Sequence, residues 1–417
     1  MSELIELSKE EQKSRAVLCG VDTGAFDMDD GIKELERLAE TAGAEVIAHF
    51  VQKTSGFEAA TLMGTGKLME LSEFCKNNEI DMVIFNHELT ASQMRNIEDA
   101  TDVTVIDRTT LILDIFAQRA RSAEGRLQVE LAQLKYRLPR LSGLGRVLSR
   151  QGGGIGSRGP GEAKLETDKR YIRHRIEKLE NQLKELTKRR EYAHKRRKKD
   201  GVTTVAIVGY TNVGKSTLLN ALTDAGVLSE NMLFATLDPT ARSLLLPDGR
   251  EVMLVDTVGL ISRLPHNLVE AFKSTLEEAV NADLILNVCD ASSEDIQSQI
   301  DITKGLVAEL GGGDIPMLTV VNKCDTKEIS SISVGEKAVF ISAKTGHGFS
   351  ELLQKISESL KETAKRVQIL VPYKEAGLLN TIRQNGKVFL EEYREDGIFA
   401  DALIDIKNID KVKEYII

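Results

Sequence analysis

Between residues 15 and 108, short apolar runs alternate with amphipathic stretches. Ala16-Val17-Leu18-Cys19-Gly20-Val21, Val46-Ile47-Ala48-His49-Phe50-Val51 and Met82-Val83-Ile84-Phe85 read as buried strands, with a fourth at 103–106. Helical spacing fills 32–41, 68–77 and 92–99. Parallel strands need a covering crossover, so this alternation predicts a small α/β unit with a largely parallel sheet. The Gly64-Thr65-Gly66-Lys67 turn lacks a preceding strand and reads as a loop-to-helix turn, not a phosphate loop.

From Leu111 the period lengthens. Leu127, Leu131, Leu134, Leu138 and Leu141 recur at steps of 4, 3, 4 and 3, and Ile172, Ile176, Leu179, Leu183 and Leu186 repeat that rhythm. Two such stripes flanking one loop predict an antiparallel helical hairpin, each seam burying the other. Pro139 should end or kink the first helix. Further on, an apolar strand at 205–208 opens a second alternating region. The tail shows strand patterns at 367–371, 388–393 and 398–406, a helix at 375–384 and a short one at 409–415.

Charge divides the chain unevenly. Residues 119–200 hold 24 Lys and Arg against 10 Asp and Glu, while the whole chain carries −9. A surplus of +14 in one segment suits a polyanion, with nucleic acid the leading candidate and a merely solvated helix the bland alternative. Eight glycines lie in 142–166, interleaved with Arg146, Arg150 and Arg158. Such a loop cannot bury a core, but its arginines can follow a folded RNA surface, the bland alternative being a disordered linker with incidental arginines. Eight of the twelve residues from 188 to 199 are basic, including Lys188, Arg189, Arg190, Arg196 and Arg197. Capping a helix C-terminus needs fewer, so phosphate contact is the second reading.

The strand at 205–208 runs into Gly209-Tyr210-Thr211-Asn212-Val213-Gly214-Lys215-Ser216-Thr217, a complete G-x-x-x-x-G-K-[ST] loop followed by a helix pattern. Its glycines let backbone N–H groups turn toward an anion, Lys215 reaches the β- and γ-phosphates, and the Ser216 hydroxyl ligates Mg²⁺. Phe234-Ala235-Thr236-Leu237-Asp238 falls where a switch loop belongs, with Thr236 the second Mg²⁺ ligand and γ-phosphate sensor. Asp256-Thr257-Val258-Gly259 follows the next strand. Asp256 would hold Mg²⁺ through water and the Gly259 N–H would contact the γ-phosphate. Asn322-Lys323-Cys324-Asp325 ends a further strand. A carboxylate at Asp325 accepts guanine N1–H and N2–H, which adenine lacks, so GTP is favoured over ATP. The backbone of Ser342-Ala343-Lys344 would support guanine O6. Leu260 stands where Ras-like proteins place a water-orienting glutamine, so intrinsic hydrolysis should be slow. Asn212 is then a candidate to coordinate K⁺ beside the β–γ bridge, or else a loop-stabilising residue. Asn212, Lys215, Thr236 and Gly259 form the catalytic set.

The Gly-rich GGGIGSRGPGE at 152–162, GYTNVGKST at 209–217, FATLDPT at 234–240 and DTVGLISRLPH at 256–266 together resemble the HflX family of GTPases, as does DRTTLILDIFAQRA at 107–120. The resemblance covers most of 15–365 and is weakest in the tail. It implies an α/β fold. Residues 1–110 are expected to form an N-terminal α/β subdomain, 111–200 the helical hairpin with its Gly/Arg-rich loop, 201–365 the P-loop GTPase domain, and 366–417 a small α+β domain. It also implies binding of the large ribosomal subunit and its rRNA, and splitting or recycling of stalled or idle ribosomes under heat or antibiotic stress. The alternative is a regulatory GTP-binding switch acting on a protein or membrane partner. The polar start, the absence of an apolar run near the roughly 18–20 residues of a membrane span, and four scattered cysteines predict a cytoplasmic protein with free thiols and no membrane insertion. A monomer is expected.

Overall fold

The computed structural model describes residues 13–141, 160–199, 201–223, 234, 240–260, 278–293, 296–326, 334, 338–360, 364–405 and 409–417. They fall into two compact units, one holding residues up to Thr187 together with Phe234, the other holding the remainder.

The first unit is built on four parallel strands in the order β2-β1-β3-β4: β1 (Arg15–Asp22), β2 (Glu45–Lys53), β3 (Met82–Phe85) and β4 (Thr104–Asp107). The crossovers carry α1 (Met28–Thr41), α2 (Thr65–Asn77) and α3 (Ala91–Thr101). Local chemistry sets their starts. Asp27 accepts from the Asp30 N–H, and Thr90 with Gln93 forms a reciprocal capping box that satisfies N–H groups the helix cannot. Val17, Cys19, Val83 and Phe85 bury against Leu68, Leu71 and Ile97, forming one core layer. Gly64 precedes α2 as a turn, and Lys67 pairs with Glu70 at 2.7 Å.

Beyond β4 come α4 (Arg108–Arg119), α5 (Ala123–Arg140) and α6 (Pro160–Lys199), with Pro139 in the last turn of α5. Glu130 receives both Arg175 N–H groups at 2.7 Å, and Lys135 meets Glu180 at 2.9 Å, clasping α5 to α6. The leucine stripe needs correction on α5. Of the five, Leu131 alone is buried, while Gln128, Val129, Ala132 and Tyr136 are the deeper positions. The cause is a second neighbour, since α5 also packs against α4 and must bury two faces.

In the second unit six strands run in the order β10-β9-β8-β5-β7-β6. These are β5 (Thr203–Gly209), β6 (Thr240–Leu245), β7 (Glu251–Asp256), β8 (Leu284–Asp290), β9 (Met317–Asn322) and β10 (Val339–Phe340). Only the β6–β7 pairing is antiparallel. Leu284, Leu286 and Val288 face one core and Ile285 the other, the two-sided burial expected of a central parallel strand. α7 (Lys215–Thr223), α8 (Ile296–Glu309) and α9 (Phe349–Ser359) cover the faces. The tail forms an antiparallel sheet, β11 (Ala364–Val371), β13 (Gly397–Asp405) and β12 (Gly386–Arg394), with α10 (Gly377–Asn385) over one side.

Candidate nucleotide site

In an open parallel sheet, ligands lie outside the carboxyl ends of the strands, where strand order reverses. Here that point is β5, flanked by β8 on one side and β7 on the other. β5 delivers Gly209, after which the chain turns through Asn212 at φ 61 and Gly214 at φ 94 into α7. A side chain at Gly214 would collide with the Asn322 amide, so glycine is required twice over.

Lys215, the first residue of α7, is buried and donates to the carbonyls of Gly209 at 3.2 Å and Tyr210 at 2.8 Å. Burial disfavours its charged form and pulls the ammonium down to about 8, with the nearby Asp256 carboxylate working the other way. Ser216 Oγ donates to Asp256 Oδ2 at 2.7 Å, at the end of β7. A hydroxyl and a carboxylate converging in this way are the hard oxygen donors that Mg²⁺ prefers. The residues present therefore fit that ion, which would neutralise phosphate charge.

The segment after Asp256 lies directly on the loop. Thr257 Oγ1 donates to the Ile207 carbonyl at 2.7 Å. Leu260 N–H donates to the Gly209 carbonyl at 3.0 Å, and Thr211 N–H to the Leu260 carbonyl at 2.7 Å, a parallel bridge between Tyr210 and Leu260. A Cβ on Gly259 would strike Thr211 and stand 3.0 Å from Lys215 Nζ, so only glycine passes here. Val258 and the Leu260 side chain are buried.

On the other flank Asn322 ties three segments together. Its amide donates to the Val213 carbonyl at 2.8 Å, and its oxygen accepts the Ala343 N–H at 2.8 Å. Lys323, at φ 65, pairs with Asp290 at 2.7 Å. Asp325 accepts from Ser342 Oγ at 2.7 Å, and this bond, before the nearby lysines, holds its carboxyl below the usual range. Lys344 is exposed beside it. The loop 209–217, Asp256 to Gly259, Asn322 to Asp325 and Ser342 to Lys344 thus share one unit and one sheet edge.

Other residues expected at the site stand elsewhere. Phe234 is buried in the first unit, its ring edge-on to Phe116 at 4.5 Å. Ala235, Thr236, Leu237 and Asp238 lie outside the described residues, as do Arg146, Arg150 and Arg158. On α6, Lys188, Arg189 and Arg196 are exposed, whereas Arg190 and Arg197 are half-buried and Arg197 pairs with Glu278 at 3.3 Å. Sequence reasoning missed Asp290. Its signal was available, a carboxylate closing the apolar run LILNVCD at the carboxyl edge.

Comparisons with known proteins agree along the chain. Three family models match in succession: "GTP-binding GTPase N-terminal" at 29–117, "GTP-binding GTPase Middle Region" at 119–197 and "50S ribosome-binding GTPase" at 204–323. The protein called GTPase HflX in Caldanaerobacter subterraneus is 51% identical over 405 residues, covering 97% of this chain and 94% of that one. GTPase HflX of Lacrimispora saccharolytica is 47% identical over 97% of this chain and 96% of its own. For GTPase HflX of Escherichia coli the figures are 42%, 89% and 88%.

Proposed function

The chain belongs to the HflX family of GTPases, and from that premise we propose that it is a GTP-driven switch that binds the large ribosomal subunit and separates stalled or idle ribosomes into subunits. It hydrolyses GTP. The observation that supports the ribosomal target is the union, in one chain, of the nucleotide edge with a segment carrying 24 basic residues against 10 acidic. Residues 1–110 and 111–200 would face the ribosome, 201–365 would be the switch, and 366–417 an appendage. The protein would act as a cytoplasmic monomer under stress, and no described helix is long and apolar enough to cross a membrane.

In this reading the Lys215 ammonium leaves the Gly209 and Tyr210 carbonyls to meet the β- and γ-phosphates, regaining the charge that burial costs it. Ser216 and Thr236 would hold Mg²⁺, with Asp256 reaching it through water. The Gly259 N–H would bind the γ-phosphate, which requires the segment bridged through Leu260 to shift. Loss of that phosphate would reverse the shift, coupling hydrolysis to release. Asp325, kept ionised by Ser342, would select guanine. With Leu260 unable to orient water, K⁺ at Asn212 and the ribosome itself would complete the site.

The test is sedimentation with purified large subunits. Protein loaded with a non-hydrolysable GTP analogue should co-sediment and GDP-loaded protein should not. Intact ribosomes should lose light scattering when GTP protein is added. If the GTP form stays at the top of the gradient, the ribosomal reading is wrong. Turnover in potassium and sodium buffers, with and without subunits, tests the ion, and equal rates throughout would exclude it.

A further inference from the structure

The basic end of α6 is not uniformly charged surface. Helical geometry puts about 100° between successive residues, so positions three and four apart share a face. Tyr192 is 75% exposed. Lys188 and Arg189 precede it by four and three residues, and Lys195 and Arg196 follow it by three and four. All four are exposed. They therefore lie within about 60° of the ring around the helix axis. The opposite side, with Leu183, Leu186, Arg190 and Arg197, is half-buried. Glu191 borders the patch and Glu185 lies a turn before it, so cations dominate around the ring.

We propose that Tyr192, ringed by Lys188, Arg189, Lys195 and Arg196, is a docking surface for structured RNA that stacks one unpaired base on the tyrosine while the cations hold its flanking phosphates. The inference rests on the ribosomal reading above and names a surface for it. Phosphates and a base face alternate along an RNA strand, matching cations around an aromatic plane. An acidic protein would offer carboxylates to the cations but no planar base to stack on the ring. An anionic membrane would need aliphatic neighbours that this face lacks.

The experiment uses full-length protein with a GTP analogue and purified large ribosomal subunits, titrated over a range of KCl. Tyr192→Ala should weaken binding about tenfold, the loss of one stacked base, while Tyr192→Phe binds as wild type. Replacing the four cations with glutamine should flatten the salt dependence, each lost phosphate contact removing slightly under one unit of slope. Ultraviolet crosslinking should join Tyr192 to a nucleotide. GTP affinity should be unchanged in every variant, because the ring is exposed and outside the nucleotide site. Wild-type affinity in Tyr192→Ala, or a crosslink to a ribosomal protein instead, overturns the inference and leaves the ribosomal reading standing. Failure of the wild type to bind subunits overturns both.

Discussion

The parallel strands of the two α/β sheets use the same edge in opposite ways. In the second unit the carboxyl ends of β5, β7 and β9 present Lys215, Ser216, Asp256 and Asn322 around a glycine turn. In the first unit the carboxyl end of β4 presents Asp107, which accepts from the N–H groups of Leu89 and Thr110, the Thr110 hydroxyl and the Tyr136 hydroxyl, with Arg140 at 3.6 Å. Arg108 beside it is 3% exposed and bonds Asn86 at 3.1 Å and Glu34 at 2.7 Å. One edge keeps polar groups positioned for a ligand. The other turns the same kinds of groups inward, where they fasten α4 and α5 to the sheet. Buried charge alone does not mark a binding site; both edges have partnered polar groups, but one surrounds a glycine turn that opens a helix, whereas the partners of Asp107 come from the helices packed on the sheet.

The comparison breaks most sharply at Lys215. Lys215→Met should reduce GTP hydrolysis about 10²–10³-fold, the range for removing one preorganised charge-stabilising donor, measured as single-turnover rates. The nucleotide-free variant should also melt at a higher temperature, because a buried ammonium is replaced by an apolar side chain of similar length. A lower melting temperature would mean that Lys215 is structural, like Asp107.

Asp325→Asn comes next. An amide keeps the shape but offers guanine one acceptor and one misplaced donor, so GTP affinity should fall about 10–100-fold against little change for ATP. Competition binding measures it, and unchanged discrimination would remove Asp325 from base recognition.

A smaller effect follows from pH. Burial pulls the Lys215 ammonium down to about 8, and the proposed contact with the β- and γ-phosphates would require its charged form. Binding above that pH therefore takes up a proton, and affinity should fall about tenfold between pH 7 and 9. The sign for stability is opposite: an unfolded lysine keeps its proton to about 10.4, so the nucleotide-free fold gains stability as pH rises from 8 toward 10. Calorimetry in two buffers of different ionisation heat reads the proton directly.

These contrasts also explain what could be read in advance. The nucleotide edge is encoded in short local strings, since a turn that approaches a phosphate admits only glycine and a few polar types at fixed spacing. The strand that feeds it was equally legible, because burial on both faces leaves an uninterrupted apolar run at 205–208. The Asp107 cluster was not legible. Its partner Tyr136 lies 29 residues away, and the Arg108 partner Glu34 lies 74 away, distances at which sequence spacing carries no geometry. The leucine stripe on α5 misled for the same reason: periodicity counts one buried face, while α4 imposes another. On α6, composition exposed the basic run but not its division into Lys188, Arg189 and Arg196 outside and Arg190 and Arg197 turned inward.

The last test concerns stability and Tyr136. Its hydroxyl donates to the fully buried Asp107, and its ring lies under the Arg140 guanidinium at 3.4 Å. Burial first, and the carboxylate second, push its ionisation well above the ordinary tyrosine value, so it remains a donor throughout the accessible pH range. Tyr136→Phe keeps the ring and the cation–π contact and removes one charge-assisted hydrogen bond, leaving Asp107 its backbone and Thr110 partners. The expected loss is about 1.5–3 kcal/mol in denaturant unfolding, with GTP affinity unchanged. Because Arg140 also donates to the carbonyls of Leu89 and Tyr136, the loosened clasp should act on the chain that leaves α5 for the Gly/Arg-rich segment. Weaker binding to large ribosomal subunits at unchanged GTP affinity would then show that the closed edge also serves that binding.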